Sequence, residues 1–362
     1  MKSPAGIPPL SAQHQSSGGR HQRAIVGLAM VVGLVAVILF LRLVNLPAVL
    51  QHLEHLNPRL ALLCGVVFLT AYIVRALRWR CLLDPVPIGI GRVVAIYQVA
   101  IFVNWLLPVR GGELVKGITL RRLNGIPLRQ SLPTVAMDQF MDLLPIVIVV
   151  LAIPFLHLEL SDPLAIFLGS LTFIFGFGVL VLVLGALRRS TALAMLSWLT
   201  SFLPRRIRAQ TEPFLIRFLD VTLTLVSQPR LLLKASMYTA VAVGLDGLYC
   251  FLAFEAVGAK VSFPTILFGY TFYNLGYILP TPPGQIGSNE IIGLLVFTGL
   301  LHVDPSEVGA MFLFSHPWSA FLMVSSGLSC LSLLGLSFQG AFTLGNRDPN
   351  QLLPETDSGG QT

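Results

Sequence analysis

The chain has 362 residues, of which 54% are hydrophobic and only 11% charged, and its formal net charge is +7. A soluble domain carries roughly one-quarter charged residues, and a β-barrel alternates apolar with polar positions. The continuous apolar runs here fit neither, and the excess of basic residues fits membrane topology better than nucleic acid.

Residues 1–23 form a polar, basic tail, too long for a signal peptide and without a small-residue cleavage site, so the first span is expected to be retained. That span, 24–43, includes AIVGLAMVVGLVAVILFL, 18 residues without a charge, about what a bilayer core demands. HLEH at 52–55 falls in an expected outer loop and lacks the HExxH spacing of a metal site. A second span covers 58–77 and ends at Arg75, Arg78 and Arg80 with Trp79. These arginines read either as inner-face anchors or as lipid headgroup contacts.

Residues 93–107, VVAIYQVAIFVNWLL, are apolar but only 15 long. They reach about 22 Å as a helix, short of the roughly 30 Å core. Asn104 lies near their end, and Pro108, Arg110, Gly111, Gly112 and Glu113 follow. Basic residues flank both sides: Arg78 and Arg80 before; Lys116, Arg121, Arg122 and Arg129 after. A re-entrant hairpin entering from the inside satisfies both observations. Full spans are expected next at 132–156 and 163–187, the first with Asp138 and Asp142 on one face. Asp138 could pair with an arginine of the hairpin or contact a ligand.

Residues 188–234 are basic and amphipathic, with Phe214, Leu215, Phe218 and Leu219 at helical spacing. They read as a connector on the inner leaflet or a plain linker. A span at 235–257 carries Asp246, which reads either as inter-helix glue with Asn274 or a hydroxyl or as part of a functional centre. Two short apolar arms, 264–279 and 286–301, then flank ILPTPPGQIGSNE. Its three prolines (Pro280, Pro282, Pro283) and two glycines (Gly284, Gly287) break the helix, and Glu290 adds a carboxylate. The weakly charged flanks, Lys260, His302, Asp304 and Glu307, suggest a hairpin entering from the outside. The last span is 307–338, where His316-Pro317 marks a kink, and 341–362 is a disordered cytoplasmic tail.

With the N-terminus inside, 20 basic residues fall in inner segments and 3 in outer ones, a strong positive-inside bias that puts both termini in the cytoplasm. The expected fold is therefore an all-α polytopic membrane protein. It has about six full transmembrane helices plus two oppositely oriented re-entrant hairpins in an inverted repeat, a recurring transporter plan. Residues 24–340 form the single transmembrane domain, with repeat 1 at about 58–157 and repeat 2 at about 235–338.

Broken backbone at membrane depth is tolerated only against protein or a watery cavity, so both hairpin tips should line one. Helices restarting at Gly112 and Gly287 would point their positive ends into it, a seat for phosphate, and the fork of Arg110 would strengthen that seat. Glu113 and Glu290 serve either as helix-start compensation of the dipole or as cavity carboxylates for proton coupling, amine binding or holding Arg110. The four cysteines lack CxxC spacing and read as small buried hydrophobes. No GxSxG, Walker A or GxGxxG pattern occurs. No metal, catalytic residue or cofactor is expected.

Arg75 to Arg80 (RALRWR), Asn104 to Glu113 (NWLLPVRGGE), Asp138 to Asp142, and Pro280 to Glu290 (PTPPGQIGSNE) occur in this order. In these pieces the chain resembles the lysylphosphatidylglycerol synthase transmembrane-region family of flippase-like membrane proteins. The resemblance covers most of residues 24–340 and implies lipid translocation or membrane partnership with a lipid-modifying enzyme. Gln285 and Asn289 depart from the family pattern, and no soluble synthase domain follows, so aminoacyl transfer is not expected.

Three functions compete. The leading one moves a polar lipid, with an anionic or phosphate-containing headgroup, across the bacterial cytoplasmic (inner) membrane through a cavity between the hairpins. The others are an accessory protein of a lipid-biosynthetic or lipid-linked glycosyltransferase system, and a membrane-embedded lipid-modifying enzyme.

Overall fold

The computed structural model describes residues 15–83, 86–107, 112–152, 162–278 and 281–336. Pro108, Arg110 and Pro280 lie outside them, as do the first 14 residues and the C-terminal tail. Among the described residues every regular element is helical.

In chain order these are α1 (Gln15–Leu43), α2 (Leu46–Glu54), α3 (Pro58–Leu82), α4 (Ile90–Leu106), α5 (Gly112–Asn124) and α6 (Leu128–Ala152). Then come α7 (Asp162–Leu187), α8 (Arg189–Ser201), α9 (Arg205–Val226), α10 (Pro229–Ala256) and α11 (Phe263–Tyr273). Single 3₁₀ turns at Asn274–Ile278 and Pro283–Gln285 lead to α12 (Ser288–Gly293), which runs on as a π-helix, Leu294–Leu300, and α13 (Pro305–Leu333) ends the fold.

Local sequence explains the starts. A capping side chain followed by proline opens α2 (Asn45, Pro47), α3 (Asn57, Pro58), α11 (Ser262, Pro264) and α13 (Asp304, Pro305). In each, the side-chain oxygen accepts an orphan backbone N–H, and the proline lacks the donor that the first turn cannot satisfy. Asp304 Oδ1, for example, accepts from Ser306 N at 2.8 Å.

Among the described residues four helices are long and apolar enough to cross a membrane: α3, most of α6, α10 and α13. A fifth candidate is α1 with α2, bent by 88° between them. The first run does not end in a loop but turns sharply into α2, which contains His52; α7 occupies the expected 163–187. The outward faces of α3, α10 and α13 carry exposed Leu62, Val66, Met237, Val241, Phe321 and Leu328, a surface suited to lipid rather than water.

Packing brings the two halves together. The longest interface is α3 on α10; α4 lies on α13, and α11 lies on α6. Helix α5 folds back on α4, so closely that a Cβ on Gly112 would sit 2.6 Å from Asn104 Cβ. In the second half, a Cβ on Gly269 would sit 2.7 Å from Phe297 and one on Gly276 2.6 Å from Ile292. Each pair of short arms therefore packs together. The largest core joins α3, α10, the second pair of arms and α13, with Phe254, Phe297 and Val308 fully buried. In the connector, Leu219 is buried against Val181, Ala192 and Leu196, so that part of its apolar stripe is covered by α7 and α8 rather than left open.

Candidate functional site: a polar cavity between two pairs of short arms

A cavity of about 570 Å³ opens between the short arms and the long helices. Asn104, Trp105 and Glu113 line it from the first pair of arms; Asn274, Gln285 and Asn289 from the second; Arg75, Asp142, Asp246 and His316 from the long helices. Of the predicted site residues, Arg75, Asn104, Glu113 and Asp142 face it.

Two ionic clusters frame it. Arg75, on α3, grips Asp246 on α10 with both guanidinium nitrogens: Nη1 donates to Oδ1 at 3.1 Å and Nη2 donates to Oδ2. Asp142 on α6 lies 3.7 Å from Arg75 Nε. One turn further along α3, Arg78 is fully buried. It donates from Nε to Asp138 Oδ1 at 2.8 Å, from Nη1 to Thr239 Oγ1 at 3.1 Å and from Nη2 to the Asp138 carbonyl at 3.1 Å. Its Nη2 also lies 2.8 Å from Asp142 Oδ1. The spacing of Asp138 and Asp142 does put both carboxylates on one face, but they divide the work. Asp138 is 0% exposed and Asp142 44%, so Asp138 holds helices together and Asp142 presents a carboxylate to the cavity.

Lys116 completes the cluster. Its buried ammonium donates to Asp138 Oδ2 at 3.0 Å, lies 2.7 Å from Glu113 Oε2 one helical turn back, and sits 4.0 Å above the Tyr97 ring. The aromatic face and two carboxylates together compensate the lost hydration of the charge. Carboxylates (Glu113, Asp138, Asp142, Asp246) outnumber cations (Arg75, Arg78, Lys116) in these linked clusters.

These contacts revise several expectations. Both arginines pair with carboxylates: Arg75, partly buried, with Asp246 and Asp142, and Arg78, fully buried, with Asp138 and Asp142. Asp246 pairs with Arg75 instead of Asn274, whose side-chain amide donates to the Tyr270 carbonyl at 3.0 Å. Asp138 pairs with Arg78 of a long helix and with Lys116 of the arm. Lys116 was expected in an inner loop; α5 continues past Glu113, and the i, i+3 spacing turns both side chains to one face.

At Gly112 and Gly287, where the helices restart, the backbone is engaged by protein. The Gly112 N–H donates to Asn104 Oδ1 at 3.3 Å, so it is taken by protein. Gly287, at φ +80°, is pressed on α1: a Cβ there would meet the Gly33 carbonyl, Ala36 Cβ (2.8 Å) and Val37 N (2.9 Å). Gly284 and Gln285 both adopt left-handed backbone, φ +67° and +59°. This lets the chain turn in one step, with the Gly284 carbonyl aimed at His316 Nε2 2.9 Å away. Pro283 starts that turn. Glu290 is buried and its Oε1 lies 2.5 Å from His316 Nδ1. It therefore does more than compensate a helix dipole. His316, expected only to mark a kink with Pro317, was missed as a site residue. A histidine in the middle of a span is itself the signal, since polar groups at that depth need partners. Among the described residues no group of His, Cys, Asp or Glu has the arrangement of a metal site.

The family model described as the lysylphosphatidylglycerol synthase TM region matches residues 24–327. The chain belongs to this family. It is therefore an integral membrane protein, as its apolar helices independently require. Two relatives named UPF0104 membrane proteins are each 23% identical to it. That of Pyrococcus horikoshii aligns over 294 residues, 75% of this chain and 86% of the relative. That of Methanothermobacter thermautotrophicus aligns over 273 residues, 70% and 78% respectively. No solved structure matches the chain.

Proposed function

We propose that this family member moves a lipid with a polar, phosphate-containing headgroup between the leaflets of the cytoplasmic membrane. The observation that carries the proposal is the cavity of about 570 Å³ lined from both pairs of short arms and containing charged and amide side chains within an otherwise apolar protein. A scaffold has no use for such a space, and polar groups at membrane depth are costly unless they serve a path or a ligand. In this reading α4–α5 and α11–α12 are re-entrant hairpins of opposite orientation, and repeats 58–157 and 235–338 are inverted copies. The reciprocal packing of α4 on α13 and α11 on α6 supports it. The headgroup enters between the arms while its acyl chains stay in lipid. Asn104, Gln285 and Asn289 offer it neutral hydrogen bonds, and Asp142 gives any amine on it a counter-charge.

The test is reconstitution into vesicles of phosphatidylglycerol and phosphatidylethanolamine carrying a trace of tail-labelled fluorescent analogue, with inner-leaflet label read by dithionite protection. The parent should move label across the bilayer, and Gly284→Val, which crowds the tip beside Trp105, should not at matched protein level. Equal movement by parent, Gly284→Val and empty vesicles refutes the proposal.

A further inference from the structure

Neither ionic cluster includes His316, although it lies on the wall of the same cavity. Its two ring nitrogens point at two oxygens: Nδ1 at Glu290 Oε1, 2.5 Å away, and Nε2 at the Gly284 carbonyl, 2.9 Å away. Counting protons on this geometry is decisive. A backbone carbonyl only accepts, so Nε2 must carry a hydrogen. If Glu290 is ionised it too only accepts, and Nδ1 must carry one as well, making the ring an imidazolium. If the ring is neutral, the hydrogen between Nδ1 and Oε1 must come from a protonated Glu290. Both assignments contain one proton more than neutral histidine with ionised glutamate.

We infer that Glu290 and His316 form a proton-binding site that latches the broken arm of the second hairpin to α13. With the proton present, both bonds form, and the tip at Gly284–Gln285 is tied to the long helix. Without it, two acceptors face each other at either Nδ1 or Nε2, one bond is lost and the tip is released. Glu290 Oε2 is buried without a hydrogen-bond partner, an arrangement that penalises the ionised, unshared carboxylate. His316 is the member that meets the cavity, so the proton exchanges through it.

Most of the other titratable groups on the elements packed against α13 have partners of their own: Arg78 (α3) holds Asp138 and Asp142, and the Cys64 (α3) thiol donates to the Tyr249 carbonyl at 3.8 Å. Arg75 (α3) and Asp246 (α10) grip each other, and Tyr249 (α10) donates to the Ser315 carbonyl at 2.9 Å. Tyr97 (α4) lies under Lys116, and His52 (α2) contacts the Val257 carbonyl. Cys250 (α10) is buried and Glu54 ends α2. A proton taken up on one side and released on the other would couple tip movement to a proton gradient. That coupling role rests on the lipid-transport reading; the proton site does not.

The experiment reads the tip directly. In a background with Cys64, Cys81, Cys250 and Cys330 replaced by alanine, full-length protein in phosphatidylglycerol vesicles carries spin labels at Thr281→Cys and Ser325→Cys. Inter-label distances are measured from about pH 5 to about pH 9, the range over which a histidine pair exchanges its proton. The parent should pass from one narrow population at low pH to a longer, broader one at high pH. Glu290→Gln should stay narrow throughout, because its amide can donate to neutral Nδ1 while Nε2–H holds Gly284. His316→Leu should be broad throughout. A parent distribution that does not change with pH overturns the site without recourse to any variant. So does a Glu290→Gln protein that is broad at every pH, since an amide that satisfies both bonds without the extra proton would then fail to hold the tip. If distances respond as expected while no labelled lipid moves, the proton site stands and the transport reading falls.

Discussion

Replacing Arg78 by methionine keeps an unbranched apolar stem and removes the charge, and the result should separate a buried ion pair from a membrane anchor. Arg78 is 0% exposed and makes four polar contacts, to both Asp138 and Asp142, to Thr239 and to a backbone carbonyl. Its loss leaves Asp138 with Lys116 alone, at 3.0 Å, and Asp142 with Arg75 at 3.7 Å. Breaking a buried pair from one side costs about 3–5 kcal/mol because the remaining charge is uncompensated. The folded-to-unfolded ratio should then fall roughly 100- to 4,000-fold. The assay is unfolding of the purified protein in mixed micelles, with Arg80→Met as the matched control. Arg80 donates from Nε to the Ile88 carbonyl at 2.9 Å, and losing one such bond should cost about 1–3 kcal/mol. Adding Asp138→Asn to Arg78→Met should cost less than the two changes summed, by about 0.5–3 kcal/mol. An Arg78→Met protein within about 0.5 kcal/mol of the parent, the range of ordinary surface changes, would refute the buried network.

The remaining predictions concern close packing. Gly287→Ala should lower the melting temperature more than Gly284→Ala: both positions have positive φ, but only at Gly287 would the new Cβ be driven into α1, whereas at Gly284 it would rest 3.4 Å from Trp105. The difference should be about 1–3 kcal/mol, the usual cost of overpacking. Gly327→Ala would put a Cβ 2.5 Å from Phe102 Cγ and push α13 off α4, again at about 1–3 kcal/mol. Gly244→Ala in α10 meets nothing within 4 Å and should be neutral or stabilise the helix by up to about 1 kcal/mol; thermal unfolding of the pair checks the contrast.

The sequence made the long apolar helices legible because length and continuous hydropathy are local properties. The short arms were legible for the same reason, from 15 residues ahead of Pro108 and from the Pro280–Glu290 break. What stayed hidden is pairing. Nothing local distinguishes an arginine at a membrane face from one gripping a carboxylate across the bundle, and Arg75 meets Asp246 only once α3 lies along α10. Lys116 was hidden by a boundary: ending the arm one turn early turns a buried charge into a loop charge. The bend after Leu43 was hidden because Asn45 and Pro47, which start α2, look the same in a loop as in a helix start.

Gly33 and Gly287 have a consequence for how the protein is made. A Cβ on Gly33 would lie 2.9 Å from the Ile286 carbonyl and 3.1 Å from Pro282, so α1 and the Pro282–Gly287 turn meet almost backbone to backbone, as small residues permit. Helix α1 leaves the ribosome long before Pro282–Gly287, so its seat does not exist until α2 to α11 have been made. During translation α1 is without that partner, and the long sequence separation makes this contact a late one to close.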